Sequence, residues 1–394
     1  MEKKKNTPKL RFPEFTGEWE EKKLGEIGDI ITGLTYNPND INLNGVLVLR
    51  SSNIKDSILS FEDNVFVETN NYNPVRENDI LICVRNGSKS LIGKNTLIKK
   101  ENEGLAFGAF MVVYRSPMNL FIFQLFATEK YYKIINENLG ATINSINNSD
   151  LRKFEFQFPS LPEQTKIANF LTSVDEKLTQ LKKKKTLLKQ YKKGVMQKLF
   201  SQQLRFKDDN NQDFPDWQEK TLGKVATITM GQSPDSKTYN TDKIGKLLIQ
   251  GNADITNRIT NPRNWTSEPT KECKAGDLIL TVRAPVGMVA KSIYDACIGR
   301  GVCSIRNNPY SDIEFLYQFL LDYEPKWGRL EQGSTFTAVN GRDISSIEVL
   351  CPSLPEQQKI ATFLSAIDEK INHSSAQIEK MEAWKKGLLQ QMFC

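Results

Sequence analysis

Pro159-Ser160-Leu161-Pro162-Glu163-Gln164, followed by Lys166-Ile167-Ala168, Phe170-Leu171 and Asp175-Glu176-Lys177, returns almost letter for letter as Pro352-Ser353-Leu354-Pro355-Glu356-Gln357, Lys359-Ile360-Ala361, Phe363-Leu364 and Asp368-Glu369-Lys370. The offset, 352 − 159 = 193, holds without a gap to Phe200 against Phe393. The chain is a tandem duplication, and a repeat this long predicts a pseudo-twofold molecule with two similar surfaces.

Outward from that stretch the rest repeats too. Trp19-x-Glu21-Lys22-x-Leu24-Gly25 is echoed by Trp217-x-Glu219-Lys220-x-Leu222-Gly223, and Asp79 to Arg85 by Asp277 to Arg283, both at an offset of 198. Gly140-x-Thr142 and Asn147-x-x-Asp150 match Gly333-x-Thr335 and Asn340-x-x-Asp343 at 193, so the first copy carries a net five extra residues between. Short β-branched runs such as Val46 to Leu49, Ile80 to Val84, Met111 to Tyr114, Lys246 to Ile249 and Leu278 to Val282, bounded by Gly, Asn, Asp and Pro, read as strands. Asn119 to Glu137 and Asp312 to Leu330 carry apolar residues at helical spacing. The expected fold class is α+β: two globular α/β domains separated by two long antiparallel coiled-coil helices. The boundaries read 1–160 (first domain with an N-terminal arm), 161–203 (first repeat helix), 204–353 (second domain) and 354–394 (second repeat helix).

Ser160-x-x-Glu163 and Ser353-x-x-Glu356 read as capping boxes, with Pro162 and Pro355 in the first turn, where a missing N–H is harmless. Ile167, Leu171, Val174, Leu178, Leu181, Lys185, Leu188, Lys192, Val195 and Leu199 recur at alternating steps of four and three, a heptad seam repeated from Ile360 to Met392. Its polar interruptions, Lys185 and Ser374, fall at different heights, which favours the two helices pairing with each other over pairing with identical copies. Residues 164 to 200 would span about 55 Å of helix, longer than one turn of B-DNA at about 34–36 Å. The second helix runs out at Cys394, which leaves residues 1 to 16 to close it onto the start of the chain.

With 394 residues, 39% hydrophobic and 25% charged, the chain has the length and composition of two globular domains. No apolar stretch follows the charged start and no run approaches about 18 apolar residues, which leads to the expectation of a soluble cytoplasmic protein. Six scattered cysteines without a C-x-x-C pair fit reduced, buried thiols. The formal charge is +6, and it is unevenly placed: Leu161 to Phe200 holds ten Lys against three acidic residues, Leu354 to Cys394 five against five. The run Lys182 to Lys185 reads either as a solvated face or as a surface held near phosphates. One histidine, His373, permits neither a Ser-His-Asp triad nor a multi-histidine metal site, and no nucleotide-binding glycine motif is present. Asp216 and Glu219 sit too close in sequence to come from adjacent strands as metal-nuclease carboxylates do. The chain is therefore expected to be non-catalytic, with no metal site and no cofactor.

Duplex DNA has a local twofold of its own, and polar loops after the strands suit it. In the first copy these are Thr35, Tyr36 and Asn37; Arg50, Ser52 and Asn53; and Arg85, Asn86, Ser88 and Lys89. In the second they are Gln232, Ser236, Lys237 and Tyr239; Gln250 and Asn252; and Arg283 and Lys291. Arg, Asn and Gln offer paired hydrogen bonds to base edges, while Ser, Thr and Lys suit phosphates. Any one of them alone reads more readily as an ordinary solvated loop residue than as a DNA contact, and the set gains its weight from repeated positions. Gly140 to Ser145 and Gly333 to Thr337 read as phosphate-gripping backbone or as turns before each helix.

The doubled Pro-Ser-Leu-Pro-Glu-Gln motif with its long helices, alternating with two divergent globular segments, resembles the specificity subunits of Type I restriction-modification enzymes. The resemblance covers essentially the whole chain. It implies that each globular unit is a target recognition domain reading one half of a split double-stranded DNA site with a fixed gap. It further implies that Pro162, Glu163, Gln164, Ile167 and Leu171, with Pro355, Glu356, Gln357, Ile360 and Leu364, belong to the spacer and its docking surface for two methyltransferase subunits. Restriction subunits join that core, and S-adenosylmethionine, ATP and Mg²⁺ are expected on the partners. A different class remains open on the residues alone: a coiled-coil scaffold whose globular modules bind peptides.

Overall fold

The computed structural model describes residues 7–139, 144–333 and 338–394. Packing divides the chain into two compact units, Met1–Lys182 with Ala376–Cys394, and Lys183–Ser375. Each unit thus combines one strand-rich segment with part of both long helices.

In the first unit Glu20–Lys23 pairs antiparallel with Glu155–Phe158. The main sheet runs Asp29–Thr32, Met111–Arg115, Ile80–Cys83, Asn95–Leu97, all antiparallel. Ile41–Leu49 joins Phe66–Val67 and, in parallel, Ala106–Phe107. Every residue of Ile80–Cys83 is buried, which explains a continuous apolar run instead of alternation. Asp79, 1% exposed, anchors this strand by taking the Arg115 guanidinium in two bonds of 2.8 and 2.6 Å.

The second unit repeats the plan. Gln218–Thr221 pairs with Glu348–Cys351, and Asp277 anchors Leu278–Thr281 through Arg306 at 2.6 and 2.8 Å. The main sheet runs Ala226–Met230, Val302–Asn307, Leu278–Thr281, Val289–Lys291, Ile259–Thr260, Ile255–Thr256. The two heads differ at the sheet edge: Ile259 pairs with Lys291, whereas among the described residues the matching hairpin of the first unit, Ile54–Lys55 with Ile58–Leu59, pairs only with itself.

The helical apolar spacing from Asn119 to Glu137 is met by two helices, Asn119–Leu125 and Glu129–Glu137. The Thr128 hydroxyl donates to the Leu125 carbonyl at 2.6 Å and accepts from the Tyr131 N–H at 3.4 Å, so a side chain replaces the helical ladder there. The matching helix of the second unit, Ile313–Gly333, continues through Pro325.

The long helices are Leu161–Phe200 and Leu354–Met392. In the first unit the pairs Asp175–Lys385 at 2.5 Å and Lys182–Glu382 at 2.6 Å set the two strands of the seam antiparallel. In the second unit Lys192 pairs with Asp368 across the seam at 2.7 Å, and the Lys359 ammonium donates to the carbonyl of Lys207, past the end of the first helix, at 2.8 Å. The apolar seam residues Ile167, Leu171, Val174, Leu178 and Leu181, and Ile360, Leu364, Ile367 and Ile371, are buried.

The expected capping boxes are not made as such. Glu163 accepts from Arg11 at 2.7 and 2.7 Å, and Glu356 from Arg205 at 3.1 and 2.9 Å and from the Trp217 indole at 3.1 Å. A bidentate guanidinium outcompetes a single backbone N–H for each carboxylate. These arginines sit on equivalent segments. In the first unit the Leu10 N–H donates to Gln391 and Phe12 packs edge-on against Phe170 at 5.9 Å. In the second the Leu204 N–H donates to Lys198 and Phe206 packs on Phe363 at 5.6 Å. The N-terminal arm therefore meets the end of the second repeat helix, as the sequence leads one to expect.

All six cysteines are free thiols, and burial pushes the Cys303 thiol up to about 12. Among the described residues no helix is long and apolar enough to cross a membrane, and no three His, Cys, Asp or Glu side chains are placed to share a metal ion.

Candidate nucleic-acid interface

In the first unit the crossing of two chain segments sets the geometry. A Cβ on Gly33 would collide with the Gly108 carbonyl, so only glycine allows this approach. The Leu34 N–H donates to Phe107 at 2.7 Å, Ala109 to Leu34 at 2.9 Å, and Gly108 to Leu49 at 3.0 Å. Arg85 donates from its backbone to Phe110 at 3.2 Å and Asn86 to Asn144 at 3.2 Å. Residues 34–37, 50–53, 85–89, 108–110 and 144–146 are thereby gathered at one end of the main sheet.

Most of the expected contact residues of this copy come together there. Thr35, Asn37, Arg85, Ser88 and Lys89 are exposed, and Tyr36, Arg50, Ser52 and Asn86 are half-buried. Arg50 pairs with Asp63 at 2.9 Å, and the Asn86 amide donates to the Ser51 hydroxyl at 2.9 Å. Asn53 is a correction. It is fully buried, accepts from the Arg50 N–H at 2.9 Å and donates to the Ser60 and Asp63 carbonyls, so it shapes the loop and has nothing left to offer a base.

The second unit builds the same frame. Gly231 crosses Gly299 as tightly as Gly33 crosses Gly108. The Gln232 N–H donates to Ile298 at 2.9 Å, Gly299 to Ile249 at 2.8 Å, and Val282 to Gly301 at 2.9 Å. Gln232, Ser236, Lys237, Asn252 and Arg283 are exposed in this cluster. Gln250 is half-buried and oriented by its amide on the Tyr239 hydroxyl at 3.1 Å. Lys291 lies elsewhere: its ammonium pairs with Glu314 at 2.5 Å and stands over the Tyr317 ring at 4.6 Å, so it ties sheet to helix. Residues 140–143 and 334–337, most of the expected phosphate-gripping turns, lie outside the described residues.

Two residues that sequence reasoning passed over stand in the clusters, Phe110, 56% exposed, and Arg300, exposed. The signal that could have found them is a glycine just before a buried strand, Gly108 and Gly299.

Of the helix set, Pro162 and Pro355 are exposed, while Glu163, Gln164, Ile167, Leu171, Glu356, Gln357, Ile360 and Leu364 are buried. The Gln164 and Gln357 amides fold back on the Pro159 and Pro352 carbonyls at 2.8 and 2.9 Å. The motif's glutamate and glutamine thus serve the start of each helix.

The model of the Type I restriction modification DNA specificity domain matches residues 16–190 and again 215–383. A Methanocaldococcus jannaschii chain assigned as a type I restriction enzyme specificity subunit is 31% identical over 98% of this chain and 95% of its own length. The StySPI specificity subunit of Salmonella potsdam is 22% identical over 92% and 86%. The fold agrees with the crystal structure of the type I restriction-modification S subunit from M. genitalium, at a TM-score of 0.67 and 17% identity over 98% of this chain and 99% of that one. With both repeats matched and a full-length relative at this identity, the chain belongs to the type I restriction-modification DNA specificity family, as a two-domain recognition subunit.

Proposed function

We propose that each unit reads one half of a split double-stranded DNA target, and that the subunit docks two modification subunits, with restriction subunits joining them. The observation that carries this reading is two loop clusters built on one backbone frame with different side chains, beside helix starts that are nearly identical. A divergent surface suits two half-sites, and a repeated one suits two copies of a single partner. The docking face is assigned to exposed repeat positions: Leu161 and Pro162 with Trp384 in the first unit, Leu354 and Pro355 with Tyr191 in the second. The contact set is Thr35, Tyr36, Asn37, Arg50, Arg85, Asn86, Ser88 and Lys89, then Gln232, Ser236, Lys237, Tyr239, Gln250, Asn252 and Arg283; Ser52 drops out because its hydroxyl is buried. The gap between half-sites follows the helical rise of the repeat helices. S-adenosylmethionine, ATP and Mg²⁺ are placed on the partners and the assembly in the cytoplasm.

The test is co-expression with the cognate modification subunit followed by methylation mapping of a genome. One bipartite motif is expected, and exchanging residues 17–158 for those of a relative changes one half of it only. A single uninterrupted motif, or a change in both halves, overturns the reading.

A further inference from the structure

The two heads share a backbone crossing at which their side chains differ in kind. Gly108-Ala109-Phe110 and Gly299-Arg300-Gly301 are held alike: the first residue of each donates to the strand below it, Leu49 at 3.0 Å or Ile249 at 2.8 Å. The third accepts from Val84 at 3.0 Å or Val282 at 2.9 Å, and the next strand begins by donating back to the glycine, from Met111 at 2.9 Å or Val302 at 3.1 Å. Each crossing carries one large exposed side chain among small ones, Phe110 in the first head and Arg300 in the second. The backbone is fixed by strands on both sides, so the side chain is presented from a rigid element.

We propose that this crossing tripeptide determines specificity, Phe110 reading the 5-methyl group of a thymine and Arg300 reading a guanine. The inference rests on the split-target reading above. Phe110 is a 56%-exposed apolar group set in a polar loop cluster, and the base-edge group that an apolar contact matches is the thymine methyl. The Arg85 guanidinium lies 5.7 Å from the centre of the Phe110 ring, which holds the arginine beside the apolar contact. In the second head the Ser233 hydroxyl fixes the Arg300 N–H at 3.1 Å. Its guanidinium has no hydrogen bond or ion pair among the described residues, leaving its paired donors for the O6 and N7 acceptors of guanine.

Modification complexes carrying Phe110→Ala, Phe110→Leu, Arg300→Ala or Arg300→Lys are used to methylate a random-sequence DNA library, and the modified motifs are sequenced. Arg300→Ala is expected to lose discrimination about tenfold or more at one guanine of one half-site, with Arg300→Lys intermediate. Phe110→Ala is expected to relax one thymine of the other half-site. Replacing that thymine by uracil slows the unaltered complex about tenfold and leaves Phe110→Ala indifferent, a readout that mere loosening of the loop would not produce. Unchanged motifs, relaxation in both halves, or an equal loss at all sites sinks the tripeptide assignment while a bipartite motif from the unaltered complex still stands. Absence of any bipartite motif from the unaltered complex sinks the underlying reading instead.

Discussion

Glu163 and Glu356 occupy the same place in the two copies, yet their surroundings are unequal. Glu356, 0% exposed, answers both the Arg205 guanidinium and the Trp217 indole N–H, whereas among the described residues Glu163 answers Arg11 alone and the Trp19 indole N–H has no partner. In both, the hydrogen-bonded carboxylate raises the pKa of its arginine. Removing one member of a buried pair strands the other, at about 3–5 kcal/mol. Glu356→Ala leaves the Trp217 indole without its acceptor and takes the carboxylate from Arg205, which keeps the Phe214 and Pro215 carbonyls and Asp216, so it is expected to lower stability by about 3 kcal/mol, the low end of that range. Glu163→Ala costs less, about 1–3 kcal/mol, because Arg11 sits on a terminal arm that can turn to water. Denaturant unfolding of the two variants, compared midpoint by midpoint, checks the order. At this scale the sequence was readable only in part. Repetition marks Glu163 and Glu356 as special, and a capping box is the local explanation open to sequence. The arginines that take the carboxylates stand about 150 residues away, where no local pattern reaches.

The repeat helices were legible because burial has a period, and the seam from Ile167 to Leu181 is buried as that period requires. What the period does not contain is the facing helix. Lys192 and Lys385 interrupt the seam, and their partners Asp368 and Asp175 each sit one residue past a seam position, so only the antiparallel register joins them. Each aspartate also accepts a head glutamine, Gln318 or Gln124, at 2.9 Å, which ties each strand-rich segment to its helix pair. The loops proposed for DNA contact stand out in the sequence as polar breaks after apolar strands, whereas Phe110 was hidden because an aromatic reads as core. Burial holds the Lys192 ammonium below the ordinary lysine range, with Asp368 opposing. A lysine whose folded pKa is lowered favours unfolding while protonated, and that penalty fades as pH rises from the lowered value towards 10.5. Lys192→Met ends that penalty but leaves the Asp368 carboxylate, 30% exposed, with Gln318 as its donor, so it is expected to cost about 1 kcal/mol at pH 7. Asp368→Ala, which leaves the lysine buried and unanswered, is expected to cost about 3 kcal/mol. Thermal unfolding between pH 7 and 10 distinguishes the two, and equal losses would show that the pair, not lysine burial, dominates.

Neither copy of the duplication is complete by itself, because each compact unit takes helix from both. In the second unit Leu204 follows the first repeat helix through a short exposed link at residues 201–203, and its N–H reaches the Lys198 carbonyl at 3.1 Å. In the first unit Leu10 makes the same bond to Gln391 at 2.8 Å with no such link, so the joint holds without covalent continuity. A chain divided between Gln202 and Gln203 is accordingly expected to assemble from its two halves. Charge decides which halves pair. Lys182 faces Glu382, whose counterpart in the first helix is Lys189 (382 − 193), so a homodimer of the first half in this register sets lysine against lysine. With ten Lys against three acidic residues on each such helix, self-association is opposed at low salt and eased as ions screen it over about 10 Å at 0.1 M. The second helix, at five against five, carries no such repulsion. Co-expressed halves should therefore purify as a one-to-one complex, and the first half alone should sediment as a monomer at 50 mM salt and associate as salt is raised. If the first half instead self-associates at low salt as tightly as it binds the second, lysine placement does not select the pairing, and the seam's apolar residues alone account for it.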